Sequence, residues 1–439
     1  MTSIAILITK LSSFLLHLIH RGGSLPGSIG LRINPSLLKN LKISCPVILV
    51  TGTNGKTSTS NMIADMFEHA GYRVINNRKG DNLKEGITTA LVTNTGWNRK
   101  VKADAIVLEV DELNIPFIMK NLKVDALVVT NFFRDQLDRA REMEQLIVKI
   151  EQAIHDFKGT LVLNGNDPNV VRLKDAALQA SAVYFGMEQC ISSSKETKEA
   201  SEGKFCPRCG NRLTYDYYQY SHIGYFQCTG CDFHTPNIDA LGIVIDIPSK
   251  RFEFNGKTYQ APQGGLYTMY NCMAVIAIAT LYHIDSSYIA KAFQEIKVPD
   301  GRNEAFTYQG HSLVLNLVKN PTGANEVMKV IEEDHSKKTI MIVLNDNAQD
   351  GTDVSWIYDT FFEKLICEET CKMIISGTRC YDMALRLKYG NYHGELEIHE
   401  NLKDAVDALL KADTTMYAIA TYTALQPVRN LFVSRLKSE

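Results

Sequence analysis

The sequence predicts an α/β protein with a central parallel-sheet domain, a small four-cysteine insert and a C-terminal Rossmann-like α/β domain. Three observations carry that expectation. The apolar run Pro46-Val47-Ile48-Leu49-Val50 leads into a Gly-rich turn, residues 51–57, and then into a helical pattern over 60–67. Strand-like runs at 46–51, 105–110, 126–130 and 160–164 alternate with amphipathic stretches, as in a doubly wound sheet whose ligands sit beyond the strands' C-terminal ends. Two Cys-x-x-Cys pairs interrupt the alternation, and a second strand–helix series follows them. A chain of 439 residues has room for two or three domains, each with its own core.

Residues 1–45 form the expected N-terminal helical segment. Two apolar runs, 4–8 and 14–19, are broken by Lys10 and Ser12-Ser13. Neither approaches the roughly 20 apolar residues of a membrane span, and residues 22–26 offer no small-residue cleavage site. The pattern reads as an amphipathic helix packed on the core, with peripheral membrane contact as the alternative. The expected location is the cytoplasm, at the inner membrane face. A net charge of −2 leaves no basic footprint for nucleic acid.

The turn Thr51-Gly52-Thr53-Asn54-Gly55-Lys56-Thr57 has the chemistry of a phosphate cradle. A buried strand, a Gly-rich loop and a helix N-terminus aim backbone N–H groups and the helix dipole at an anion. Lys56 would reach the outer phosphates and the Thr57 hydroxyl a Mg²⁺ ion, so residues 52–58, Ser58 included, are the expected ATP site. Val50 stands where the strict Walker pattern has glycine.

Residues 192–204 are a polar linker, and behind it Cys206, Cys209, Cys228 and Cys231 form two pairs with 18 residues between them. Each pair suits a tight knuckle, and two knuckles suit tetrahedral zinc. Four thiolates leave no open coordination position. The expected zinc ribbon, residues 190–238, is therefore structural, stapling a module too small to hold itself together. Strand-like runs at 241–247 and 251–255 and a helix over 267–282 return to the first domain, giving it the bounds 46–300. A second α/β pattern occupies 301–439, with strands near 312–317, 339–345, 372–376 and 415–420. Its helices are expected near 322–333, 379–388, 401–411 and 422–436.

The loop Gly52-Thr53-Asn54-Gly55-Lys56-Thr57 resembles the variant found in the Mur ligases and folylpolyglutamate synthetase, and further motifs extend the likeness. Val107-Leu108-Glu109-Val110-Asp111-Glu112 is similar to the family's acid-ended strand, which implies Glu109 as a second magnesium ligand. Thr130-Asn131 and the following Asp135-Gln136-Leu137-Asp138 resemble a run in which Gln136 replaces a metal-associated histidine. Leu163-Asn164-Gly165-Asn166-Asp167-Pro168 resembles a motif of structural role. The likeness also places Asn271 at the adenine and, through Gly301-Arg302-Asn303-Glu304, Arg302 near the nucleotide. Asn316 and Lys319 depart from the acid and histidine of the Mur ligases.

Two further features narrow the resemblance: about 50 residues precede the loop, too few for a uridine-nucleotide domain, and the amino-acid-adding ligases lack the cysteine insert. With Asn345-Asp346-Asn347-Ala348-Gln349-Asp350-Gly351-Thr352-Asp353-Val354-Ser355-Trp356, they resemble the MurT family, the Mur-ligase-like subunits of lipid II isoglutaminyl synthases. The resemblance implies ATP- and Mg²⁺-dependent amidation of the D-glutamate α-carboxylate in the lipid II stem peptide. It also implies a heterodimer with a GatD-like class I glutaminase that supplies ammonia. In that family an aspartate of this C-terminal segment completes the partner's Cys-His pair, which matches Asp353, with Asp346 and Asp350 as alternatives. Two rival activities remain at this stage: an autonomous amino-acid-adding ligase of the Mur or folylpolyglutamate type, and a zinc-ribbon ATPase that binds nucleic acid.

Overall fold

The computed structural model describes residues 1–18, 23–78, 81–134, 143–197, 202–262, 265–296 and 302–436. They divide into two compact units, one built from Met1–Phe133 and Met143–Ile296, the other chiefly from Lys297–Glu439.

In the first unit the strand Val47–Thr51 lies deep in the sheet, between Ala105–Glu109 and Ala126–Val129, parallel to both. Outward on one side follows Val74–Asn76; on the other come Thr160–Asn164, Ser181–Met187, Ala240–Asp246, Arg251–Phe254 and Lys257–Gln260. Arg251–Phe254 pairs antiparallel with both Ala240–Asp246 and Lys257–Gln260, and the rest of the ladder is parallel. Every residue of Val47–Thr51 is buried. Ile48 and Val50 face one apolar cluster, with the helices Lys56–His69 and Leu266–Leu281, while Val47 and Leu49 face another on the opposite side. Both faces are thus covered, which is why the strands read as continuous apolar runs rather than as alternation.

The N-terminal helix Thr2–Leu18 packs Ala5 and Ile6 against Leu37 and Val92. Among the described residues no helix is long and apolar enough to cross a membrane. The cysteine insert is an antiparallel hairpin, Leu213–Tyr220 with Ile223–Cys228. A small cluster of Cys206, Leu213, Phe226 and Phe233 against Val171 supports it.

The second unit holds a sheet in the order Arg302–Tyr308, His311–Leu317, Thr415–Ala420, Lys338–Val343, Thr370–Ser376, Glu395–His399. Only the first pair is antiparallel. Ile340 and Ile342 face one side of this sheet, Met341 and Val343 the other. Helix Pro321–Glu332 starts where its sequence says it should: the Asn320 side chain accepts from the Gly323 N–H at 2.8 Å and proline occupies the first turn.

Five strands of the two large sheets lie outside the apolar runs that the sequence displays: Val74–Asn76, Ser181–Met187, Lys257–Gln260, Arg302–Tyr308 and Glu395–His399. The segment after Asp353 is a 3-10 turn, Ser355–Asp359.

Candidate active site and cysteine cluster

Three parallel strands end side by side, and their C-terminal ends supply the site. Beyond Val47–Thr51 the chain makes the loop 52–55 and enters the helix Lys56–His69. Gly52 has φ +121°, and a Cβ there would fall 2.3 Å from the Thr130 hydroxyl. Gly55 has φ +86°, and a Cβ there would fall 2.3 Å from the Asn271 Oδ1. Both positions therefore demand glycine, for conformation and for space. The second contact also places Asn271, buried in the helix Leu266–Leu281, against the phosphate loop.

The loop is clamped from the neighbouring strand. The Thr53 N–H donates to the Asn131 carbonyl at 2.9 Å and the Asn54 N–H to the Asn131 side chain at 2.9 Å. The Thr130 hydroxyl and the Asn131 amide donate to the Asn54 carbonyl, at 2.8 and 3.1 Å. Asn164 and Asp167 hold the clamp in turn. The Asn164 amide donates to the Thr130 carbonyl at 3.0 Å, and the Asp167 carboxylate accepts from the Phe132 N–H at 2.9 Å. Buried partners of this kind fix the loop before any ligand arrives.

Lys56 is buried. Its ammonium donates to the Gly52 carbonyl at 2.5 Å and to both oxygens of Glu112, at 3.1 and 3.2 Å. A buried cation needs such a partner when no phosphate is present. Glu109, on the adjacent strand, is 3% exposed. Asn77 grips its backbone from both sides, accepting from the Glu109 N–H at 2.9 Å and donating to its carbonyl at 2.8 Å. Asn82 donates to Glu109 Oε1 at 2.9 Å, while Oε2 is buried with no partner. A buried carboxylate oxygen without a donor is costly, and a hard cation bound by oxygen ligands answers that cost. The residue set thus fits magnesium, with Thr57 and Glu109 as the side chains that would hold it.

The spacing of the sequence does not reveal Glu112, Asn77 or Asn82 as partners. Glu112 stands in the same acidic run as Glu109, the one local signal for it. Gln136 lies outside the described residues, as does the side chain of Arg302, which opens the strand Arg302–Tyr308. Within the second unit the motif's glutamate, Glu304, is bound to Arg429 at 3.0 Å.

The four cysteines converge, with all four sulfurs within 4.8 Å of one another. The Arg208 and Gly230 N–H groups donate to Cys206 and Cys228 Sγ, at 3.4 and 3.3 Å. The Asn211 backbone and side chain lower the Cys209 thiol to about 6. Four sulfurs and backbone donors on two knuckles fit tetrahedral zinc.

In the second unit the three acids of 346–353 differ sharply. Asp350 is buried, and both its oxygens serve Thr423: Oδ1 accepts from its N–H at 2.7 Å, Oδ2 from its hydroxyl. Asp346 is paired with Arg379 at 3.2 Å and accepts from the Thr378 hydroxyl at 2.8 Å. Asp353 is exposed and accepts from the Ser355 N–H at 2.8 Å. That N–H, followed by the Ser355 side chain, holds its carboxyl below the usual range.

A parallel sheet that presents a clamped phosphate loop, with a metal-ready carboxylate on the next strand, defines a nucleotide-dependent ligase of the Mur type. Residues 50–227 match the family described as Mur ligase middle domain, and residues 317–425 the family described as MurT ligase C-terminal. A pseudomurein peptide ligase type C from Methanothermus fervidus superposes with a TM-score of 0.69 at 22% identity, over 91% of this chain and 81% of that one. MurF from Acinetobacter baumannii gives 0.64 at 15% identity, over 92% and 80%. Two curated relatives are each called lipid II isoglutaminyl synthase (glutamine-hydrolyzing) subunit MurT. One, from Staphylococcus aureus, is 32% identical over 93% of this chain and 92% of its own length. The other, from Streptococcus pneumoniae, is 31% identical over 99% and 97%. The chain belongs to the MurT family.

Proposed function

We propose that this chain is the synthetase subunit that amidates the α-carboxylate of D-glutamate in the lipid II stem peptide, giving D-isoglutamine. What chiefly supports this reading is one arrangement: a pre-clamped phosphate loop beside a buried carboxylate with an unpartnered oxygen, in a chain of the MurT family.

The carboxylate attacks the γ-phosphorus of ATP; ADP leaves and an acyl phosphate forms. Ammonia then adds to the acyl carbon, phosphate departs with the C–O electron pair, and a proton is lost from nitrogen. The N–H groups at the start of the helix Lys56–His69 and the Lys56 ammonium stabilise charge on the transferring phosphoryl, and positioning does most of the work. Lys56 exchanges its Glu112 partner for phosphate oxygens at that stage. Magnesium held by Thr57 and Glu109 would add charge neutralisation there. Asn271 and Arg302 are assigned to the nucleotide, and zinc on Cys206, Cys209, Cys228 and Cys231 to holding the insert.

An acyl phosphate hydrolyses readily, and at neutral pH ammonia is mostly ammonium. Direct delivery of neutral ammonia by a GatD-like class I glutaminase therefore suits the reaction. Asp353 is assigned to orienting the partner's catalytic histidine. Its two rivals are already committed, Asp350 to Thr423 and Asp346 to Arg379, whereas Asp353 is exposed and ionised.

The test supplies the purified chain with Mg-ATP, an ammonium salt at high pH and lipid II, and reads the stem peptide by mass spectrometry. The expected product is lighter by the difference between –OH and –NH2, with one ADP per amide. A product formed from an amino acid in preference to ammonia would instead make this an autonomous amino-acid-adding ligase.

A further inference from the structure

The helix Thr2–Leu18 buries a narrow side and leaves its apolar side bare. Ala5, Ile6 and Thr9 face the protein, whereas Ile4, Leu7, Leu11, Phe14, Leu15 and Leu18 are 47–63% exposed. Their three- and four-residue spacing puts them on one stripe. The 17-residue helix is roughly 25 Å long at 1.5 Å per residue. An apolar stripe of that length at the surface marks an interaction site. The helix does not qualify as a membrane span, so a partner must cover the stripe from one side.

Charge identifies the partner. Residues 1–45 contain five of the chain's 47 Lys and Arg and none of its 49 Asp and Glu; the first acid is Asp65. Arg32, on the helix Ser24–Ile33 that packs against Thr2–Leu18, is exposed, as are Lys39 and Lys42. The rest of the chain carries an excess of acids. An apolar helix face within an acid-free, basic segment has the composition of helices that lie in an anionic lipid interface. A groove on another protein, or a second copy of this chain, would account for the stripe but not for the exclusion of every acid from the segment.

We propose that Thr2–Leu18 seats this protein on an anionic phospholipid surface, with its exposed stripe among the upper acyl chains and the exposed Arg32, Lys39 and Lys42 drawn to the headgroups. Why the chain should be at a membrane rests on the lipid-linked substrate assigned above; the docking itself does not.

The test is flotation of the full-length chain with vesicles that contain no lipid II, made of phosphatidylcholine alone or with phosphatidylglycerol. Wild type is expected to float with the anionic vesicles and to bind neutral ones at least about tenfold more weakly. Leu11→Glu/Phe14→Glu, which alters only exposed side chains, should bind on the order of a hundredfold more weakly with unchanged melting. A Phe14→Trp variant should shift its fluorescence to the blue on anionic vesicles alone, a readout independent of the double variant. Failure of wild type to float, equal flotation of the double variant, or concentration-dependent dimers abolished by Leu11→Glu/Phe14→Glu would each overturn the proposal. The double variant should also amidate detergent-dispersed lipid II at the wild-type rate while losing turnover on vesicle-embedded lipid II. A chain that floats as expected yet amidates nothing refutes the assigned reaction and leaves the docking standing.

Discussion

The phosphate loop and the acidic segment 345–356 are both rigidly held, but in opposite ways. At the loop the charged groups face inward. Lys56 and Glu109 are buried, and their neighbours Glu112, Asn77 and Asn82 satisfy or orient them. In the acidic segment the buried carboxylate, Asp350, serves as the anchor, and the exposed one, Asp353, is what the anchor presents. A group that acts on a substrate inside its own chain needs a dry, pre-organised pocket. A group lent to another chain needs a fixed backbone and an open side chain.

The comparison predicts separable failures. Lys56→Ala should lower both glutamine- and ammonia-driven amidation, on the order of a thousandfold or more. Undiminished turnover would remove the loop from the mechanism. Asp353→Asn should cut only the glutamine route, by roughly a hundred- to ten-thousandfold, since an asparagine cannot hold the imidazole in the needed tautomer. Assayed with the glutaminase present, a parallel loss of the ammonia route would show that Asp353 is not lent to the partner.

The cysteine cluster stands between the two: Cys206 is buried, Cys228 and Cys231 are half-buried and Cys209 is exposed. Zinc chelation should lower the melting temperature by roughly 5–10 °C, while ammonia-driven turnover falls less than twofold. Unchanged melting would deny the cluster its structural role.

What the sequence revealed divides along the same physical line. Local patterns stand out: the loop and the cysteine pairs each lie within a few residues, and strands buried on both faces make unbroken apolar runs. Four of the five strands without such a run, Val74–Asn76, Lys257–Gln260, Arg302–Tyr308 and Glu395–His399, are the edges of the two large sheets. An edge strand has one neighbour and carries polar residues, and three of these four have five residues or fewer, so they leave little periodicity. Ser181–Met187 is interior, but its first four residues are only partly covered. The same limit hides the groups that set up the site. Glu112 lies 56 residues from Lys56, and Asn77 lies 32 from Glu109, so no local spacing announces either contact. The bare stripe on Thr2–Leu18 is another such case, since the sequence shows an amphipathic helix but not which face the protein leaves uncovered.

The smallest expected effects give the sharpest test of anchor against presented group. Asp350→Ala removes a buried carboxylate that serves a backbone N–H and a hydroxyl, and leaves both donors unsatisfied. It should cost about 1–3 kcal/mol in thermal unfolding at pH 7. Asp353 is exposed, so solvent screening holds the worth of its Ser355 hydrogen bond to a few tenths of a kcal/mol. Its folded-state carboxyl sits below the ordinary value near 3.9. A depressed carboxylate contributes stability that is present above the unfolded pKa and lost as pH falls through the folded one. The gap in melting temperature between wild type and Asp353→Asn should therefore be about 1 °C at pH 7, begin to shrink below about pH 4 and close only once the pH has fallen past the folded-state value. A gap as large as that of Asp350→Ala would mean that Asp353 is itself an anchor, and the inward and outward acids would no longer differ in kind.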